Sequence, residues 1–169
     1  MSSVRLVRAT VWINEESLRW LAREADRVLP CETGGVLVGY RLADGLTYVV
    51  TSFVGPGLYA EHAPDSFEPD YAFHRREVAR HYFESGRRHV YLGDWHTHPG
   101  GAAEMSRSDT ATLFRIAQDP NARVSNPLMV ILSGGPRWTF SCWAFRRCLG
   151  PGPWPRMPQP SKIRCYRHG

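Results

Sequence analysis

Hydrophobic and polar positions change period several times along the chain, and each change marks an element. Residues 4–12, rich in Val and Leu, predict a first strand. Asn14 then suits a helix N-cap, and Glu15 and Glu16 fall in the first turn, where the helix dipole favours acids. Leu18, Leu21, Ala22, Ala25, Val28 and Leu29 share one helical face, and Pro30 ends the pattern. GGVLVGY (34–40) is a glycine-bounded apolar run of strand length. LTYVVTSFV (46–54) is β-branched and aromatic, so Asp44-Gly45 between them predicts a hairpin. Glycines, prolines and acids over 55–70 predict a loop. Tyr71 to Glu84 has helical spacing, with Tyr71, Phe73, Val78 and Tyr82 as its apolar contacts.

Residues 89–95 (HVYLGDW) predict another strand, ending at His96. A helix over Ser106–Gln118 follows, stopped by Asp119-Pro120. Residues 128–134 and 137–145 predict two further strands around a Gly-Gly-Pro turn. Trp138, Phe140, Trp143 and Phe145 suit a strand packed between layers better than a base-stacking platform. Strands and helices mix without strict alternation, which predicts an α/β or α+β domain around a mixed sheet. Five prolines lie within 151–160, so 149–169 reads as an extended or partly disordered Pro/Gly-rich tail behind a domain over 1–148. No internal repeat is visible.

Length and composition sharpen this picture. A chain of 169 residues suits one domain with one sizeable core. No apolar run approaches a membrane span, and the first ten residues lack a secretory pattern, so the cytoplasm is the expected compartment. Cys31, Cys142, Cys148 and Cys165 show no CxxC spacing, which argues for free thiols rather than a cysteine zinc site. Cys31 beside Glu32 reads as a small space-filling residue rather than a redox switch. The net charge of +5 is concentrated at the end: beyond Cys148 there are four basic residues and no acid. The body is therefore nearly neutral, and nucleic acid is not an expected partner.

The candidate chemistry begins at His96-Thr97-His98. In an extended segment, residues i and i+2 face the same way, so two imidazoles at this spacing can grip one metal. An isolated pair of this kind is more often a surface or satisfied pair, but this one sits where an apolar strand meets a Pro-Gly-Gly loop, a usual place for chemistry. Ser106-Arg107-Ser108-Asp109 has the form of a capping box, with Ser106 as N-cap and Asp109 at N3. That role also fixes the Asp109 rotamer, as a ligand requires. Two histidines and one carboxylate make three protein ligands, the number typical of a catalytic zinc that keeps a fourth position for water. A base is then needed. Glu32 is a candidate, although charge alone does not distinguish it from other surface acids.

Taken together, Glu32-Thr33-Gly34-Gly35-Val36-Leu37-Val38-Gly39, His96-Thr97-His98-Pro99, Ser106 and Asp109 resemble the JAMM motif of the JAB/MPN metalloproteases: an upstream Glu, then HxHP, six residues, Ser, two residues, Asp. The pattern fits without a gap over roughly residues 10–145. The resemblance implies a JAB/MPN, cytidine-deaminase-like α/β fold with a central mixed sheet flanked by helices. It implies one Zn2+ per chain held by His96, His98 and Asp109, Glu32 as general base and acid, and Ser106 as an oxyanion donor. Gly34 and Gly35 would let the chain pass close to the site. The implied activity is a deubiquitinase-like peptidase or isopeptidase cutting after the C-terminal glycine of a ubiquitin-like protein or its conjugate. Trp95-His96-Thr97-His98-Pro99 is closest to the stand-alone bacterial members, some of which accompany E1-like and E2-like enzymes in antiphage operons. Two rival expectations stay open: a non-catalytic JAB/MPN scaffold, and a JAB peptidase acting on sulfur-carrier, phage-tail or cell-wall substrates. A nuclease is a remote further alternative.

Overall fold

The computed structural model of the chain describes residues 8–145 and 158–166. β1 (Thr10–Asn14) runs straight into α1 (Glu15–Val28), with the Asn14 side chain accepting the Glu16 N–H at 2.7 Å, the cap that the sequence predicts. β2 (Gly34–Arg41) and β3 (Thr47–Val54) form the expected antiparallel hairpin. Asp44 pins its turn by accepting the Leu46 and Thr47 N–H groups, each at 2.8 Å. The predicted loop over 55–70 instead contains a small separate hairpin, β4 (Glu61–Ala63) and β5 (Ser66–Glu68). Strands of three residues are too short to show a period in sequence.

α2 (Tyr71–Glu84) begins at the Asp70 cap. Phe73 and Val78 pack against the sheet as expected, but Tyr71 is exposed, and the residue this helix buries is His74, whose ring contacts the Gly55 carbonyl oxygen at 2.8 Å. β6 (Val90–Pro99) runs four residues past the predicted end, carrying the His96–His98 segment as strand. α3 (Arg107–Gln118), β7 (Leu128–Gly134) and β8 (Trp138–Phe145) follow close to expectation.

With β9 (Pro158–Pro160) and β10 (Lys162–Tyr166), the main sheet has the order β10-β1-β3-β2-β6-β7-β8-β9 and is mixed: β1 runs parallel to β3, β6 runs parallel to β7, and β2 is antiparallel to both its neighbours. Helices cover both faces. On one face α1 inserts Leu21 and Ala25 among Val11, Ile13, Leu37, Val50, Trp95, Val130 and Leu132. On the other face α2 lies over Val36, Val38 and Val54, while α3 brings Leu113 onto Met129, Ile131 and Phe145. β7 is buried on both sides, which is why it reads as a continuous apolar run. Each large side chain so enclosed contributes about 1.5–3 kcal/mol. Among the described residues no helix is long and apolar enough to cross a membrane.

The C-terminal segment departs most from the sequence reading. Residues expected as an irregular tail form β9 (Pro158–Pro160), antiparallel to β8, and β10 (Lys162–Tyr166), parallel to β1. Only Ser161 separates them, and its N–H donates to the Cys142 carbonyl at 2.8 Å. One short segment therefore bridges the two ends of the strand order. Prolines are compatible with this because a terminal strand needs hydrogen bonds on one side alone. Ile163 packs against the main core. Residues 4–7 of the predicted first strand and 149–157 and 167–169 of the expected tail lie outside the described residues.

Candidate active site

Because β6 continues through Pro99, Thr97 points into the core, fully buried, and His96 and His98 emerge together on the face shared by α2 and α3. Their Nε2 atoms lie 2.9 Å apart. His98 Nδ1 meets the Ala102 carbonyl oxygen at 3.2 Å. A carbonyl only accepts, so this contact keeps a hydrogen on Nδ1 and leaves the Nε2 lone pair of the neutral ring facing the cluster.

The third member comes from the start of α3. The capping box is complete: Ser106 Oγ accepts the Asp109 N–H at 3.0 Å, and Asp109 Oδ2 accepts the Ser106 N–H at 2.7 Å. Held in that rotamer, Asp109 places Oδ1 3.1 Å from His96 Nε2 and Oδ2 3.4 Å from His98 Nε2. The cap and the cluster thus use one carboxylate at once. Burial works against charge on Asp109, but hydrogen bonds from His96, His98 and Ser106 outweigh it and hold the carboxyl well below the usual range. The hydrogen bond to Asp109 in turn raises His98.

One potential ligand atom from each of His96, His98 and Asp109 lies within 4.8 Å of the other two. A tetrahedral ion bound at about 2.0–2.2 Å sets its ligands about 3.3–3.6 Å apart. The observed separations, 2.9 Å between the two Nε2 atoms, 3.1 Å from His96 Nε2 to Asp109 Oδ1 and 3.4 Å from His98 Nε2 to Asp109 Oδ2, lie within a few tenths of an ångström of that figure, with a different carboxylate oxygen nearest each histidine. Two imidazole nitrogens and one carboxylate therefore fit a divalent cation with a fourth position open.

Glu32 reaches the same place by register. Gly34 pairs with His96. One step further, Thr33 and Thr97 face each other: the Thr33 N–H donates to Thr97 Oγ1 and the Thr97 N–H donates to the Thr33 carbonyl, both at 2.9 Å. The next step sets Glu32 opposite His98, on the histidine face by the two-residue period of strands. Burial raises the Glu32 carboxyl above its ordinary value, although His96 and His98 pull it down. The structure thus gathers all five candidates, Glu32, His96, His98, Ser106 and Asp109, at one end of β6.

Close packing explains the glycines. A Cβ on Gly34 would lie 2.8 Å from the Phe67 ring, and one on Gly35 would lie 2.0 Å from the Val54 carbonyl oxygen. Phe67 belongs to the β4–β5 hairpin, whose His62 contacts the Glu32 backbone at 2.8 Å. Sequence reasoning missed both residues, since nothing local marks a lone His and Phe in a polar stretch. It also missed Tyr91, which donates to Asp94 at 2.6 Å. Asp94 precedes His96 by two and was legible as a third polar residue on that strand face.

A family model described as prokaryotic homologs of the JAB domain matches residues 14–145. The chain is 38% identical over 135 residues to a Sinorhizobium fredii protein called probable metalloprotease y4qB, covering 79% of this chain and 82% of that one. It is 27% identical over 137 residues to a CD-NTase/cGAS isopeptidase of Enterobacter hormaechei, covering 78% and 72%. The solution structure of protein DSY2949 from Desulfitobacterium hafniense shares the fold, with a TM-score of 0.67, 18% identity and 94% of both chains covered.

Proposed function

The chain belongs to the prokaryotic JAB-domain family and is a metallopeptidase, and on that premise we propose that it is a zinc isopeptidase or peptidase cutting after the C-terminal glycine of a ubiquitin-like protein. The observation that carries the proposal is the convergence of His96, His98 and Asp109 beside a half-buried Glu32 on one face of β6.

Held by His96, His98 and Asp109, Zn2+ would supply a Lewis acid and lower the pKa of a water to about 7. The remaining work falls to the chain. Glu32 takes the proton of the attacking water and returns it to the leaving amine. Burial raises its carboxyl above the ordinary value, so it takes up a proton more readily than an exposed glutamate does. Ser106 donates its hydroxyl hydrogen to the oxyanion of the tetrahedral intermediate, a role supported by its oxygen already accepting the Asp109 N–H, which leaves the hydrogen for another partner. Water attacks directly, with no covalent enzyme intermediate.

The substrate class is supported by the similarity to an enzyme called an isopeptidase and by a hydrolytic centre suited to amides. A cytoplasmic conjugate, made by E1-like and E2-like enzymes of an antiphage pathway, fits that similarity. The test pairs metal analysis with turnover of ubiquitin joined through its terminal glycine to a fluorogenic amine, alongside any ubiquitin-like protein encoded nearby. His96→Ala, His98→Ala and Asp109→Ala should each lose zinc. Glu32→Gln should keep one zinc and lose nearly all turnover. Full zinc in all three ligand variants, or wild-type turnover in Glu32→Gln, overturns the assignment.

A further inference from the structure

Regular pairing of β2 begins at Gly34, so the two residues before it are held by other means. On one side, Thr97 of β6 binds the Thr33 N–H through Oγ1 and the Thr33 carbonyl through its own N–H. On the other side, the β4–β5 hairpin grips Glu32 itself. The Glu32 N–H donates to the Ala63 carbonyl at 2.8 Å, and His62 Nδ1 lies 2.8 Å from the Glu32 carbonyl oxygen. That oxygen can only accept, so the contact is a hydrogen bond when Nδ1 carries the hydrogen. The His62 ring is braced from behind by Phe67, with ring centroids 5.4 Å apart, and Phe67 rests on Gly34.

Both backbone groups of Glu32 thus depend on the hairpin, and one of the two depends on a single side chain. Resting on the assignment of Glu32 as the proton-transfer group, we propose that His62 is its positioning residue. Through Nδ1–H it fixes the peptide unit from which the Glu32 carboxyl projects toward His96, His98 and Asp109. This role needs no contact between His62 and the substrate. A carboxylate displaced by about 1 Å in a proton-transfer geometry loses about 100-fold in rate, so the hairpin acts on turnover through backbone aim.

Three substitutions separate this from a merely structural role. His62→Asn puts an amide N–H on the atom next to Cγ, where Nδ1 now stands. His62→Leu keeps the branching without a donor, and His62→Gln moves the donor one bond outward. With the ubiquitin fluorogenic amide, His62→Leu and His62→Gln should lower kcat about 10- to 100-fold, with KM within about twofold and one zinc per chain retained. His62→Asn should recover most of kcat. Independently of activity, the side-chain 15N spectrum of the zinc-loaded wild type should show neutral His62 as the Nδ1–H tautomer. Wild-type kcat in His62→Leu, an equal loss in His62→Asn, or an Nε2–H tautomer each overturns the proposal. A Glu32→Gln variant with full turnover defeats the base assignment instead. An inactive Glu32→Gln beside a fully active His62→Leu defeats only the role of His62.

Discussion

Thr33, just before β2, faces Thr97 of β6, both fully buried, and the same substitution should move stability in opposite directions at the two positions. Thr97 Oγ1 accepts the Thr33 N–H at 2.9 Å. Thr97→Val keeps the shape but strands that N–H in the core, at a cost of about 1–3 kcal/mol. For a chain of this length 1 kcal/mol moves Tm by about 2–4 °C, so the expected fall is about 2–12 °C. Thr33 Oγ1, by contrast, is buried with no hydrogen-bond partner. Thr33→Val removes a desolvated hydroxyl that gains nothing in return, and should stabilise by about 1 kcal/mol, a rise of about 2–4 °C. Thermal and urea unfolding of the two variants, each with its metal content measured, gives both signs. A Thr97→Val protein as stable as wild type, or a fall in both variants, would refute the hydrogen-bond accounting.

Two further outcomes follow from the sheet and the cluster. Deleting residues 158–169 removes five register pairs from β1 and three from β8; it should lower stability by more than about 2 kcal/mol and expose two bare strand edges prone to association, and a truncated protein melting at the wild-type temperature without aggregating would show that the segment contributes nothing. The metal-free protein should be most stable from about pH 4 to 6.5: His98 is raised by its hydrogen bond to Asp109, so its contribution is full below its ordinary 6.5 and fades as pH rises through the higher folded value, whereas Asp109 is depressed, so its contribution is full above 3.8 and fades on acidification. The zinc-loaded protein should instead gain stability on going from pH 5 to 7, because bound ligands must be deprotonated; parallel pH profiles with and without chelator would contradict this.

How much was legible in the sequence varied with the range of the contact involved. His96 and His98 are two residues apart on one strand, and Ser106 and Asp109 share one helical turn, so backbone period alone orients them. The α1 cap, the β2–β3 hairpin and the buried β7 are also local patterns. Glu32 is different. Its place beside His98 depends on the antiparallel pairing of β2 with a strand some 60 residues away, and periodicity contains no information about that register. Family resemblance singled out Glu32, and the register of Gly34 with His96 supplies the physical reason. The β4–β5 hairpin was hidden for a related cause: its short strands derive their stability from Phe67 on Gly34 and His62 on the Glu32 backbone, contacts visible only after folding.

The C-terminal segment shows why composition misleads where topology decides. Its prolines weigh against a strand with hydrogen bonds on both sides, and that inference is sound for a central strand. Residues 158–160, however, pair with β8 alone, and the chain then moves to β1, where Ile163 lies in register with the fully buried Val11. A segment of nine residues thereby covers two edges that would otherwise present unpaired N–H and C=O groups from opposite ends of the sheet. β1 also leads directly into α1, and α1 packs Leu21 and Ala25 into the same core that holds Trp95, the residue preceding His96. The mechanical support of the strand that carries His96 and His98 therefore extends through that core to the last strands of the chain.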